Sequence, residues 1–191
     1  FQKNVVTVFM ILFGVNFNFY FFLLMRKIGQ AFKMQEVRAY FLIIASAIGI
    51  ITVNTVSLCG NALQAFQDAA FQVGSVITTT GYATVDFNTW PTFSKAILVA
   101  LMFIGGCAGS TAGGIKVARV VILQKVAVSE MRRMLHPNAV PAIQFEGKPL
   151  NERSIRGVHL FLAVYLMVLV ASCLLASLEQ LDLVPTSIAA A

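Results

Sequence analysis

Residues 62–87 read ALQAFQDAAFQVGSVITTTGYATVDF, a half-length apolar helix that runs straight into Thr78-Thr79-Thr80-Gly81-Tyr82-Ala83-Thr84. The helical part, 62–77, would be about 24 Å long, against roughly 30 Å of bilayer hydrocarbon. Gln64, Gln67, Asp68 and Gln72 make it too polar to face lipid. It is too short and too wet to span. The residues that follow, 78–81, have weak helix propensity, and non-helical backbone at membrane depth is tolerated only where protein or a water-filled cavity surrounds it. The stretch therefore predicts a re-entrant pore loop: a helix that enters the bilayer, stops near its middle and returns as extended backbone. Carbonyls turned to one axis can replace the water shell of a dehydrated ion, and Gly81 permits a backbone conformation that a β-carbon forbids. The hydroxyls of Thr79 and Thr80 can add to them, and the helix aims its negative C-terminal end at the same place, which favours a cation.

Composition sets the class independently. Of 191 residues 58% are hydrophobic and only 12% charged, with a mean hydropathy of +0.81. This fits a polytopic all-α membrane protein better than a soluble domain. The net charge of +6 does not point to nucleic acid, because the basic residues lie between hydrophobic blocks, where orientation in the membrane explains them. Cys59, Cys107 and Cys173 are far apart, each in or beside an apolar segment, and show no disulfide or metal spacing. No His/Asp/Ser constellation suggests an enzyme, and no cofactor is implied.

The rest of the chain is organised around the pore loop. Residues 1–26 predict a transmembrane helix, with Asn16 and Asn18 as groups that bond to a neighbouring helix rather than line an ion path. Arg26, Lys27, Lys33 and Arg38, opposed only by Glu36, place loop 26–38 in the cytoplasm. Residues 39–58 are the outward span (M1) that delivers the chain to the pore helix, 62–77, and the filter, 78–84. Asn54 and Ser57 are expected to serve helix packing. Asp86 at the outer mouth is either a charge that concentrates cations or a solvated aspartate, and Trp90 and Pro91 suit an interfacial anchor and a helix start. The second span (M2), 91–128, would be about 57 Å as one helix, nearly twice the hydrocarbon thickness. Its middle, 105–114, is GGCAGSTAGG. Glycine costs a helix about 1 kcal/mol against alanine, which favours an irregular segment. The spacing of Gly105, Gly109 and Gly113 equally fits a small-residue packing seam, whereas a phosphate-binding loop is excluded because GSTAGGIK lacks the Gly-Lys-Ser/Thr ending.

Residues 129–156 predict a cytoplasmic linker, with His136, Pro137 and Pro141 where the helix emerges and a turn or hairpin near 144–148. Residues 157–191 predict a further outward span, with Glu179 and Asp182 outside, and then the beginning of a second descent. In this topology basic residues gather on the cytoplasmic side.

Thr79-Thr80-Gly81-Tyr82-Ala83 resembles the TVGYG filter of potassium channels with its final glycine lost. Single-glycine filters of this kind typify the Trk/Ktr/HKT superfamily of potassium transporters. FQVGSVITTTGYATVDF followed by FIGGCAGSTAGGIKVAR resembles the third of four repeats in TrkH-type pore-forming subunits, and GVNFNFYF and HPNAV…GKP resemble the end of the second repeat and the linker before the fourth. The resemblance implies a fold of M1-pore loop-M2 repeats and potassium uptake through a channel-like pore. In it Thr79, Thr80, Gly81 and Tyr82 select the ion, and a flexible intramembrane loop obstructs the pore beneath them. That assigns Gly105, Gly106, Gly109, Ser110, Thr111, Gly113 and Gly114 to a gate, with Lys116 either acting beside it or snorkelling to the interface. It implies further partners: the remaining repeats of one subunit, a homodimer of full-length subunits, a cytosolic nucleotide-binding regulatory ring of TrkA type, and the lipid of a bacterial inner membrane. One filter strand cannot close a pore, so the chain is expected to be part of a longer subunit. The alternatives are a subunit of a homotetrameric cation channel and a non-conducting scaffold subunit.

Overall fold

At Gly14, Gly60 and Gly105 the chain turns a corner at a helix end. The computed structural model describes residues 2–135 and 143–177. Among them are helices α1 (Gln2–Phe13), α2 (Phe17–Leu24), α3 (Ile28–Ala31), α4 (Gln35–Cys59), α5 (Ala62–Ile77), α6 (Thr92–Ile104), α7 (Val117–Leu135) and α8 (Glu152–Ser177), and one hairpin of strands β1 (Gln144–Phe145) and β2 (Lys148–Pro149). The fold is all-α but for this hairpin. The chain divides into two units, Phe1–Val117 and Ala118–Ala191.

The first unit is built around α5. α4 ends at Gly60, whose left-handed backbone (φ 65°) lets its N–H donate to the Val56 carbonyl. The next residue, Asn61, caps α5 by accepting from the Leu63 N–H at 3.0 Å. A left-handed glycine followed by a capping asparagine folds two helices back on each other within two residues. α4 packs on α5 and α6, and buries Val37, Tyr40, Ile44, Ala47, Ile48, Ile51 and Thr55, the three-and-four spacing of a single helical stripe. The opposite side of α4 exposes Leu42 and Val53, as a lipid- or protein-facing membrane helix does. Behind α4, Asn54 Nδ2 donates to the buried Ser94 Oγ on α6 at 2.8 Å. Asn54 thus takes the packing role read for it from sequence.

α5 changes character along its length. Leu63 and Phe66 are exposed, whereas Asp68 through Ser75 are buried. α1 covers one side, with Ile11 against Gly74, where a β-carbon would lie 3.3 Å from Ile11 Cγ1. Lys3 on α1 pairs with the buried Asp68 on α5 and lies over the Phe71 ring. The Lys3–Asp68 pair offsets the cost of placing a carboxylate among apolar groups.

The reading of residues 1–26 as a single transmembrane helix gives way here. The chain bends by 94° between α1 and α2. Asn16 is the N-cap of α2, its side chain accepting from the Asn18 N–H. Gly14 allows the close approach at the corner: a β-carbon there would stand 2.2 Å from Tyr40 Oη and 2.8 Å from Thr78 Cγ2. The Tyr40 hydroxyl donates to the Ile11 carbonyl at 3.0 Å. A cap and a contact, rather than a proline, break this helix.

α4 and α8 are long and apolar enough to cross a membrane, and α1 with α2 could make a third, bent span. The M2 stretch is likewise two helices: α6 has 13 residues, about 20 Å, well short of a bilayer, and α7 resumes at Val117. In the second unit, Glu146 (φ 52°) and Gly147 (φ 75°) turn the hairpin, the two left-handed residues of a type I′ turn. Lys125 Nζ donates to the Gln144 carbonyl and lies over the Phe145 ring. α8 begins at Glu152, and the guanidinium of Arg119 stacks 3.9 Å from the Phe161 ring centre. Helix therefore occupies both ends of the 129–156 linker. His136, Pro137 and Pro141, and with them the segment 178–191, lie outside the described residues.

Gly14→Ala should destabilise the protein by about 1–3 kcal/mol through overpacking. Adding Tyr40→Phe, which removes the nearer obstructing atom, should recover part of that loss. Thermal unfolding of the two single variants and the double variant in detergent measures this coupling, and strict additivity would mean that Gly14 and Tyr40 do not touch.

Candidate functional site

Where α5 ends, burial ends with it. Ile77 and Thr78 are buried and residues 79–84 are exposed. This segment is strapped to the helix end by its N–H groups: Thr79 donates to the Val76 carbonyl at 3.0 Å, Thr80 to Ser75 at 2.9 Å, and Gly81 more distantly to Ser75 at 3.5 Å. Thr78 Oγ1 donates to the Gly74 carbonyl and lies 2.7 Å from Thr80 Oγ1. Positive φ alternates along the strand, at Thr79 (54°) and Gly81 (79°) but not at Thr80. Alternating handedness turns successive peptides the same way round, so donors collect on one side of a strand and acceptors on the other. Here the donors face the helix. Among the described residues, the carbonyls of Thr79, Thr80 and Gly81 accept no hydrogen bond. They form an acceptor-rich, exposed strip at the negative end of a buried helix, where a cation is favoured. Tyr82 differs. Its carbonyl accepts from Ser75 Oγ at 2.6 Å, and its side chain is 62% exposed.

Asp86 caps a short 3-10 turn, Phe87–Thr89, accepting from the Asn88 N–H at 2.9 Å while Thr89 Oγ1 donates to its carbonyl. It is exposed, so the cap leaves its charge in solvent.

The glycine-rich segment is a closed excursion. α6 ends at Gly105 (φ 69°), and the chain returns at Gly114 (φ 81°). The two ends touch: a β-carbon on Gly105 would lie 2.1 Å from the Gly113 carbonyl oxygen, and one on Gly114 2.9 Å from Gly105 Cα. Ile115 N donates to the Phe103 carbonyl, Lys116 N to Ile104 and Val117 N to Gly106 at 2.8–3.0 Å. The returning chain thereby satisfies the carbonyls that a helix end leaves without partners. Lys116 holds a left-handed backbone (φ 79°), which a non-glycine residue adopts only where its surroundings impose it.

The tip of the excursion lies against the α1–α2 corner and the filter strand. Cys107 N donates to the Gly14 carbonyl at 3.0 Å and Phe17 N to the Gly109 carbonyl at 3.2 Å. Ser110 Oγ donates to the Cys107 carbonyl, and Thr111 Oγ1 to Phe13 at 3.3 Å. The Ala108 N–H meets a carboxylate oxygen of Glu36, whose other oxygen accepts from Asn16 Nδ2 at 3.0 Å. Gly113 N donates to Thr79 Oγ1 at 2.9 Å, and that hydroxyl donates to the Thr78 carbonyl. The structure thus brings Gly105, Gly106, Gly109, Ser110, Thr111, Gly113 and Gly114 into one loop that touches Thr79 directly. Glu36, Gly14 and Ser75 belong to this arrangement, yet sequence reasoning gave none of them a role in it. A lone acid among four basic residues at the start of a span was the available signal for Glu36.

Among the described residues no group of histidines, cysteines and acids could hold a metal. A sequence profile of the TrkH family, described as a cation transport protein, matches residues 1–186. The "Trk system potassium uptake protein TrkH" of Escherichia coli K12 is 34% identical over 175 residues, covering 90% of this chain and 36% of that protein. TrkH of Vibrio parahaemolyticus is 42% identical over 111 residues, 58% of this chain and 23% of that protein. The crystal structure of the potassium transporter TrkH from Vibrio parahaemolyticus superposes with a TM-score of 0.86 at 31% identity, covering 94% of this chain and 40% of that one. The chain therefore spans little more than a third of the length of these relatives.

The touching base of the loop separates its glycines. Gly105→Ala and Gly114→Ala each combine overlap with a left-handed backbone that costs an L-residue about 1–2 kcal/mol, and should lower the thermal midpoint by a few degrees. Gly113→Ala, whose β-carbon would meet Thr79 at an ordinary 3.5 Å, should be tolerated. Equal midpoints for the three variants would show that the base is not closed.

Proposed function

The chain belongs to the TrkH family of cation transport proteins, and we propose that it supplies one M1-pore loop-M2 repeat, with parts of the repeats on either side, to a potassium-uptake pore. The family is one of transporters and not of enzymes, and its chemistry is the replacement of an ion's water shell rather than the making of bonds. The observation that carries the reading is the exposed strip of unengaged carbonyls at Thr79, Thr80 and Gly81. In this reading those carbonyls converge with those of three further repeats around dehydrated potassium. Tyr82, held by Ser75, fixes the outer end of the strand. Potassium moves down its electrochemical gradient, and Asp86 stands at the outer mouth.

The loop of residues 105–116 serves as the gate in this reading. It lies against the filter's Thr79, to which the Gly113 N–H ties it, so as placed it stands across the way of an ion leaving the strip. Lys116, at the base of the loop, adds positive charge on the cytoplasmic side of it. The working protein is an integral membrane protein of a bacterial inner membrane, with loop 26–38 and the 129–156 linker in the cytoplasm. It functions with the remaining repeats of the subunit, as a homodimer and with a cytosolic nucleotide-binding regulatory ring. The names of the E. coli and Vibrio relatives support the ion and the system.

Rubidium uptake by potassium-transport-deficient cells tests the filter. In the subunit with its remaining repeats, Gly81→Ser should abolish uptake or relax its preference over sodium, with normal amounts of protein in the membrane. Unchanged uptake would leave residues 78–84 as a connecting segment.

A further inference from the structure

Glu36 is an acid in the first turn of a membrane-crossing helix, and it is only 3% exposed. Burying a carboxylate is costly unless it is well met by donors, and ionisable groups within membrane segments are commonly functional. Its two oxygens are met by donors from two other segments: Asn16 Nδ2 from the α1–α2 corner and the Ala108 N–H from the tip of the glycine-rich loop. The position also suits a negative charge, because the first turn of α4 is the positive end of that helix.

The loop's construction makes this contact the decisive one. Its base is closed by Gly105 against residues 113 and 114 and by the return of Ile115 and Lys116 onto the last carbonyls of α6. A swing of the tip would leave the base intact. It would break the bonds of Cys107 to Gly14, of Phe17 to Gly109, of Thr111 to Phe13, and of Ala108 to Glu36. Of these four, only the last involves a charged group, and hydrogen bonds to charged groups are the strongest of the set.

We propose that Glu36 is the latch of the loop: its carboxylate, oriented by Asn16, holds the Ala108 amide and thereby fixes the tip beneath the filter. Glu36 acts through the loop and touches no ion, so it is a positioning residue. The proposal rests on the reading of residues 105–116 as the gate, and the test separates the two ideas. Cys107 is fully buried at the tip, and reports displacement of the loop without reference to transport. In the subunit with its remaining repeats, and with every other cysteine replaced by serine, Glu36→Ala should raise the rate at which a small thiol reagent modifies Cys107. The rise should be about tenfold to a hundredfold, the worth of one charge-assisted hydrogen bond. Glu36→Gln, which keeps an oxygen acceptor for Ala108, should give a smaller increase, and Asn16→Ala should fall between it and the parent.

Rubidium flux in proteoliposomes is measured on the same variants. Faster modification with raised basal flux supports both latch and gate. Faster modification with unchanged flux keeps the latch and removes the gate. Unchanged modification in folded Glu36→Ala overturns the latch, whatever the flux does. If Glu36→Ala does not reach the membrane, unchanged modification in Glu36→Gln overturns it instead.

Discussion

Peptide groups that leave a helix inside a membrane must find partners in protein or in water, and the two irregular segments of this chain meet that constraint in opposite ways. The filter strand gives its N–H groups to the end of α5 and leaves three carbonyls exposed. The glycine-rich loop gives donors and acceptors alike to α6, to the α1–α2 corner, to Glu36 and to Thr79. One segment is left with a one-sided demand for positive charge, and the other is tied to its surroundings on several sides. They are joined through a single hydroxyl, that of Thr79.

The acids follow the same division. Asp68 is neutralised by Lys3, Glu36 is met by N–H groups, and Asp86 caps a turn at the surface. Under the proposed function, the attraction for a cation at residues 79–81 therefore comes from dipoles: the carbonyl strip and the C-terminal end of a buried helix. Dipoles fixed by a backbone hold an ion more loosely than a carboxylate would, and an ion that must leave again is better served by them.

Much of this arrangement is legible in the sequence, for identifiable reasons. The short buried helix at 62–77 declares itself because four polar side chains in a helix too short to span suit protein better than lipid. The break after α6 is half legible: five glycines in ten residues argue for it, while their four-residue spacing suits an unbroken packing seam equally well. The corner at Gly14 is illegible, since a single glycine in an apolar run carries no stop signal; its cause is a tyrosine 26 residues away. Glu36 shows in the sequence only as a lone acid among basic residues, because its partner Ala108 reaches it only after the loop has folded. Ser75 reads as one more small residue in a helix until the strand turns back and offers it the Tyr82 carbonyl. Sequence reveals what a segment can do alone; contacts made through the third dimension have to be seen.

Gly14 holds the Tyr40 hydroxyl and the Thr78 methyl against the place of its missing side chain, and the Cys107 amide on its carbonyl. In genetic terms such a point is pleiotropic. α4, the end of α5 and the tip of the loop share a boundary there with no slack, so an allele that shifts one of them shifts the others. Under the proposed function, selection for discrimination between ions and selection against leak would then bear on the same few atoms, and the two traits would have little freedom to evolve apart.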